Sequence, residues 1–430
     1  MYCENAVRRS LASAGCLVAL LAFLPVAKAN TVQDTLGQGA RAKAMGGAGT
    51  ASSSDASAVY YNPAGLGDCT ASEVNFEISH LVYAVDVESD DARAEQGSLR
   101  DRTAMAISGC VQLPARLHAG FLFDTGLQSA QTLDQSTLRS KPEYALYGNS
   151  LEQVSMIAGL GMRLNTKFSV GLGGALLVNS GLGIGISVPI VAGQEELSGD
   201  LQWTLDPAVA AYAGAKYRAN NEVTIGASFR SALFHKLEAE ALTTVEVAGV
   251  LLDVDLLLES VAWYSPMQAS IGVAYDSPIA YVTADLTWYR WSAYPGPYIH
   301  ISPVDEDESI AAALNYPPTE APKFSDVVVP RIGVERSLNA DVVLRGGLSY
   351  RPSPAPVPEA AGRANLLDSS VASLSLGLGY SYTGGSIGFF ARVHHMAERS
   401  VRKEIEDEAD LVYRFGGALF DAGIALKSAW

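Results

Sequence analysis

The stretch ASLSLGLGYSY, Ala372–Tyr382, alternates without a break. One side carries Ala372, Leu374, Leu376, Leu378, Tyr380 and Tyr382, and the other Ser373, Ser375, Gly377, Gly379 and Ser381. A period of two is that of a β-strand with unlike surroundings on its two faces. The same pattern recurs elsewhere. In Glu73–Ala84, Val74, Phe76, Ile78, His80, Val82 and Ala84 alternate with a polar set that includes Glu73, Asn75, Glu77 and Ser79. Val223, Ile225, Ala227 and Phe229 oppose Thr224, Gly226, Ser228 and Arg230, while Ala280, Val282, Ala284, Leu286 and Trp288 oppose Tyr281, Thr283, Asp285 and Thr287. These segments reach the ~9–11 residues that a membrane-crossing strand needs. Alternation alone also suits a soluble sandwich, so the connections have to decide.

Strands read along the chain fall near 73–86, 102–112, 115–127, 152–163, 167–178, 208–218, 222–232, 266–276, 279–291, 326–337, 341–351, 370–382, 386–396 and 416–430. Short turns and long connections alternate between them. The short ones include Leu113-Pro114, Asn165-Thr166, Ser277-Pro278 and Thr383-Gly384-Gly385. One-sided loop length marks an outer-membrane barrel, with short periplasmic turns and long outer loops. Fourteen is an even number, as antiparallel closure with both ends on one side requires. The last strand ends on Trp430, with Ile424 and Leu426 on its face, as closing strands of bacterial barrels often do.

One uncharged run, Phe168 to Gln194, has the length of a membrane helix. It holds Gly171, Gly173, Gly174, Gly181, Gly183, Gly185 and Pro189, a density that reads as strand, turn and loop.

Residues 1–29 read as a secretory signal peptide: Arg8 and Arg9, an apolar run from Leu11 to Val26, then Ala27-Lys28-Ala29. This leader carries Arg8, Arg9 and Lys28 against Glu4, so its removal takes the formal charge from −16 to −18. Such acidity, without a basic patch, excludes a nucleic-acid partner. Cys69 and Cys110 remain in a compartment that permits disulfides, and antiparallel pairing of the first two strands brings them towards one another as a disulfide candidate.

The stretch GARAKAMGGAGTASSSDASAVYYNPAGL, Gly39–Leu66, resembles the amino-terminal region of the FadL/TodX family of outer-membrane transporters for long-chain fatty acids and hydrophobic compounds. Asn62, Pro63 and Ala64 match that family's Asn-Pro-Ala motif. LTWYRWS (Leu286–Ser292), VVLRGGLSYRPSPAPVP (Val342–Pro358) and SLGLGYSY (Ser375–Tyr382) follow in the family's order. The resemblance implies an all-β fold, a transmembrane antiparallel β-barrel of about fourteen strands with an N-terminal hatch plugging the lumen. The hatch is expected over 30–70 and the barrel over 71–430. Small residues such as Gly46, Gly47, Ala48 and Gly49 allow the backbone to pack closely in such a confined space.

The resemblance further implies a monomer in the bacterial outer membrane. Its partners are a hydrophobic small molecule and the surrounding lipid. The solute is caught by outer loops and leaves sideways through a wall opening near the third strand, under control of the hatch. Leu182, Ile184, Ile186 and Ile190 in one outer loop, and Leu251, Leu252 and Leu256 in the next, are candidates for the capture groove, although parts of both segments also suit extended strands. Arg331 and Arg345, in phase with inward residues, are candidate carboxylate ligands, and pairing with Asp285 or Glu335 is the competing reading. Gly120 is the candidate for the wall kink, or else a packing gap.

No catalytic residue, metal site or cofactor is expected. The six histidines lack metal spacing, and the glycine pairs lack a Walker lysine. A PorV-like secretion-accessory or structural barrel begins similarly and stands as the alternative. The greasy outer segments favour transport.

Overall fold

The computed structural model describes residues 35–89, 99, 101–127, 143–144, 146, 154–178, 186–192, 195–205, 208–247, 250–296, 300–303, 323–358, 366–404 and 410–430. The expected signal peptide lies outside the described residues. In chain order the first strands are β1 (Glu73–Glu88), β2 (Arg102–Gln112), β3 (Leu117–Gly126), β4 (Glu143–Tyr144), β5 (Val154–Arg163), β6 (Phe168–Val178) and β7 (Ile186–Ala192). Then come β8 (Glu195–Leu205), β9 (Ala208–Arg218), β10 (Val223–Arg230), β11 (Leu233–Val247), β12 (Val250–Ser265), β13 (Gln268–Asp276) and β14 (Tyr281–Tyr289). The last are β15 (His300–Pro303), β16 (Val327–Ser337), β17 (Val342–Arg351), β18 (Leu366–Leu367), β19 (Val371–Tyr382), β20 (Gly385–Lys403) and β21 (Leu411–Ala429).

Fourteen of these close an antiparallel barrel in the order β1-β2-β3-β5-β6-β9-β10-β13-β14-β16-β17-β19-β20-β21. They are the fourteen strands read from the alternation. Only β20 and β21 depart far from the expected bounds, continuing outward to Lys403 and from Leu411. Closure runs from Glu73↔Ala429 to Glu88↔Arg414, so no edge is left unpaired. The alternation resolves as lipid against lumen. Leu374, Leu376 and Leu378 are exposed outward, while Ser375 between them is buried inward.

The short-turn end is built by one repeated device. Asn165, Asn220 and Asn339 each accept, through Oδ1, the amide N–H groups two and three residues on, at 2.6–2.9 Å. An Asn side chain that satisfies its own turn needs no partner from elsewhere.

Residues 35–72 lie inside the barrel as the hatch. They form a short helix α1 (Ala40–Ala44), a second, α2 (Ala58–Tyr61), and a 3-10 turn over Pro63–Asp68. Among the described residues, no helix is long and apolar enough to cross a membrane.

The segments expected as greasy outer loops are instead largely strand. β7, β8, β11, β12 and β15 form a five-stranded sheet in the order β15-β12-β11-β8-β7. The hairpin β11–β12 follows directly on barrel strand β10 and leads into β13, so it extends the barrel wall outward. Long apolar runs with few breakers can pair with one another, which satisfies their backbone where a loop would not.

Candidate functional site

The hatch is fixed at the Asn-Pro corner. Asn62 is fully buried. Its Oδ1 accepts from Ala64 N–H at 3.1 Å, and its Nδ2 donates to Thr50 O at 2.7 Å and to Ala215 O of β9 at 3.1 Å. One side chain thus caps the 3-10 turn, ties two parts of the hatch and docks on the wall. Pro63 opens that turn, where its missing N–H costs nothing.

Inward glycines of the wall receive the hatch. A Cβ on Gly214 would strike Asn62, on Gly171 the Pro63–Ala64 backbone, and on Gly226 the Thr50 backbone. Gly120 belongs to this set: a Cβ there would strike Leu66 of the hatch. β3 pairs through Gly120 with both neighbours in unbroken register, Cys110↔Gly120 and Gly120↔Gly159. The position is therefore a seat for Leu66 within an unbroken ladder.

Ion pairs fasten the hatch around its rim. Arg41 and Arg345 share Glu335, at 2.8 and 2.6 Å. Lys43 meets Glu77 at 2.6 Å. Asp68 accepts from Arg163 at 2.6 Å and lies 2.8 Å from Lys216. Burial alone would raise the Asp68 carboxyl, but Lys216 and then Arg163 outweigh it and hold it below the usual range. Burial pushes the Tyr61 phenol up to about 12, and its oxygen accepts from Gln38 N–H at 3.0 Å. A disulfide joins Cys69, at the end of the hatch, to Cys110 of β2.

Above the hatch lies a cavity lined by both hatch and wall. Towards the outer end its wall is apolar and aromatic. Tyr289, Trp291, Val327 and Val329 line it, backed by Tyr264, Tyr294 and Phe324 in one cluster. Trp291 stacks on Phe324 with ring centroids 5.9 Å apart. Arg230, Arg331, Arg351 and Arg392 add cationic groups to the same lining. Arg392 pairs with Asp421 and donates to Leu36 O, and Arg230 donates to Tyr60 O.

Arg331 differs. Its guanidinium donates to Thr287 Oγ1 and Tyr289 OH, both at 2.8 Å, and meets no carboxylate at ion-pair distance among the described residues. Asp285, opposite it on β14, accepts Thr50 N–H through Oδ2 at 2.7 Å. Arg331 lines the cavity, whereas Arg345 lies outside it, committed to Glu335. The two arginines are alike in sequence phase, and only the fold separates them.

Of the capture-groove candidates, Leu182 and Ile184 lie outside the described residues. Ile186 and Ile190 fall on β7, and Leu251, Leu252 and Leu256 on β12, all in the five-stranded sheet. The structure describes only their backbone. Sequence reasoning missed Arg230, Arg392 and the aromatic cluster, although Trp291 and Tyr294 stand in the quoted aromatic strand and just beyond it. No group of His, Cys, Asp and Glu among the described residues is arranged to hold a metal ion.

Residues 18–418 match the family model described as outer membrane protein transport protein (OMPP1/FadL/TodX). No curated protein matches the chain. Among solved structures, a Pseudomonas aeruginosa FadL homologue aligns with TM-score 0.62 at 14% identity, covering 94% of this chain and 98% of its own. The P. putida toluene transporter TodX aligns with TM-score 0.54 at 18% identity, over 92% and 99%. The Ralstonia pickettii toluene transporter TbuX aligns with TM-score 0.53 at 17% identity, over 93% and 100%. At these identities the likeness is one of fold.

Proposed function

This chain belongs to the OMPP1/FadL/TodX family of outer membrane transport proteins, and from that premise we propose that it takes up long-chain fatty acids by capture in its outer sheet and lateral release into the membrane. It is a barrel of the bacterial outer membrane, in a family that transports hydrophobic compounds and is not enzymatic. Arg331 is the observation that carries the choice of solute. A bare hydrocarbon needs only the aromatic chamber. A fatty acid needs one cation at the end of such a chamber, and Arg331 supplies it beside Tyr289 and Thr287. A carboxylate there gains a charge-assisted bond that Arg345 cannot offer, because Glu335 already occupies it. Lateral release keeps the apolar tail out of water throughout.

The test is binding of oleate and of toluene to the purified barrel and to Arg331→Leu. A lost charged hydrogen bond is worth about 1.5–3 kcal/mol, so oleate binding should weaken roughly 10- to 100-fold while toluene binding stays level. Equal affinity of the two proteins for oleate overturns the carboxylate role. A native barrel that yields no fatty acid on organic extraction, but retains a stoichiometric protein partner, returns the secretion-accessory reading.

A further inference from the structure

The β16–β17 seam is interrupted where it borders the cavity. Its phase is set at the periplasmic turn, where Leu338 N–H donates to Val342 O at 2.8 Å. Antiparallel partners alternate between bonded and non-bonded pairs. With the observed register, the bonded positions pass through Arg336↔Leu344, Val334↔Gly346 and Ile332↔Leu348. The next two are Pro330 opposite Tyr350 and Val328 opposite Pro352. Neither proline has an N–H to give. The bonds from position 330 to Tyr350 O and from position 352 to Val328 O are therefore missing, and the ladder ends at Arg331↔Ser349.

Each strand remains held on its other side. β16 pairs with β14 as far as Tyr289↔Val327, and β17 with β19 as far as Arg351↔Val371. The segments just beyond the two strands bond again where Ser325 N–H donates to Pro354 O at 2.9 Å. The stretch between covers about 15 Å at ~3.3 Å per residue. Proline inside a sheet belongs at an edge, and a closed barrel has none. Pro330 and Pro352, two registers apart on opposite strands, each leave one carbonyl of the partner strand without its ladder donor.

This interval separates the cavity from the membrane. Val329, Arg331, Ser349 and Arg351 line the cavity on the inner side. Val328, Ile332, Leu348 and Tyr350 are exposed on the outer side. Incomplete backbone pairing is tolerated at membrane depth where it borders a polar cavity. We propose that the solute leaves the lumen between β16 and β17, through the seam that Pro330 and Pro352 keep unladdered. Each proline has already removed one of the two bonds of its pair, so passage there breaks fewer bonds than passage beside β3, where the ladder is continuous. This rests on the transport reading above and gives it a route.

The test restores the donors with Pro330→Val and Pro352→Val together and follows radiolabelled oleate. The double variant should keep its folded mobility on unheated gels and its oleate binding in detergent, while cellular uptake falls roughly tenfold, as for a closed gate. Unchanged uptake overturns the seam and leaves transport standing. No uptake by the unaltered chain above an empty vector overturns transport itself. If the double variant fails to assemble, a photoreactive fatty acid with single cysteine-free benzophenone substitutions at Tyr350 or Phe121 decides the matter. More adduct at Tyr350 is expected, and adduct at Phe121 alone places the exit at β3 and overturns the proposal.

Discussion

Lys43 of the hatch and Glu77 of β1 meet at 2.6 Å, each with only 6% of its side chain exposed. The ammonium also lies 5.0 Å from the Phe390 ring centroid. A pair this enclosed acts mainly as a requirement for both partners to be present. Replacing Glu77 by Ala leaves Lys43 buried without its counter-charge, and should cost about 3–5 kcal/mol. Replacing both by apolar residues of similar volume should cost much less. Denaturant unfolding of the two variants in lipid vesicles measures the difference, and equal losses would contradict it.

Gly346 and Gly347 are neighbours on β17 with opposite duties. A Cβ on Gly347 would strike the Gly46 and Met45 backbone of the hatch, while one on Gly346 finds nothing nearer than Ser375 O at 3.8 Å. Gly346→Ala should stay within about 0.5 kcal/mol of the parent. Gly347→Ala should lose about 1–3 kcal/mol as an overpacked contact and should loosen the hatch. Unfolding curves, with protease cleavage at Lys43 as a local readout, check the contrast.

Asp68 predicts the pH dependence of hatch seating. Its folded carboxyl titrates below the ordinary range. A depressed carboxylate stabilises the fold fully above its unfolded value, and loses that contribution as pH falls through the folded one. The stability gap between the parent and Asp68→Asn should therefore be constant from neutral pH down to the ordinary carboxylate range, then shrink in stronger acid. Unfolding measured across that range tests the sign, and a gap that widens in acid would reverse it.

Much of the wall was legible because one rule governs all of it. Leu374, Ser375 and Leu376 declare lipid, lumen and lipid by chemistry alone, and Asn165, Asn220 and Asn339 punctuate the strands by bonds to their own turns. The interior was less legible because its partners are remote. Arg41 and Glu335 are 294 residues apart, and nothing local to either announces the other. Arg331 and Arg345 share one phase, so their different fates depend on where Glu335 and the cavity fall. The outer segments misled for a simpler reason: an apolar run with weak alternation suits a greasy loop and a paired strand equally well. The prolines were visible as letters, but their meaning needed the register, since a shift of one residue would have turned both away from the seam.

The first and last strands of the barrel meet along the whole length of β1. Trp430 N–H donates to Ser72 O at 3.0 Å, and β21 lies along the whole of β1. Without β21 the wall would be an open ribbon with β1 and β20 as its edges. The hatch, from the opposite terminus, touches β19 through Ala44 and Gly377, β9 through Asn62 and β1 through Lys43. A plug so widely attached ties strands that are far apart in the chain to one another across the lumen, so it braces the closed wall from within.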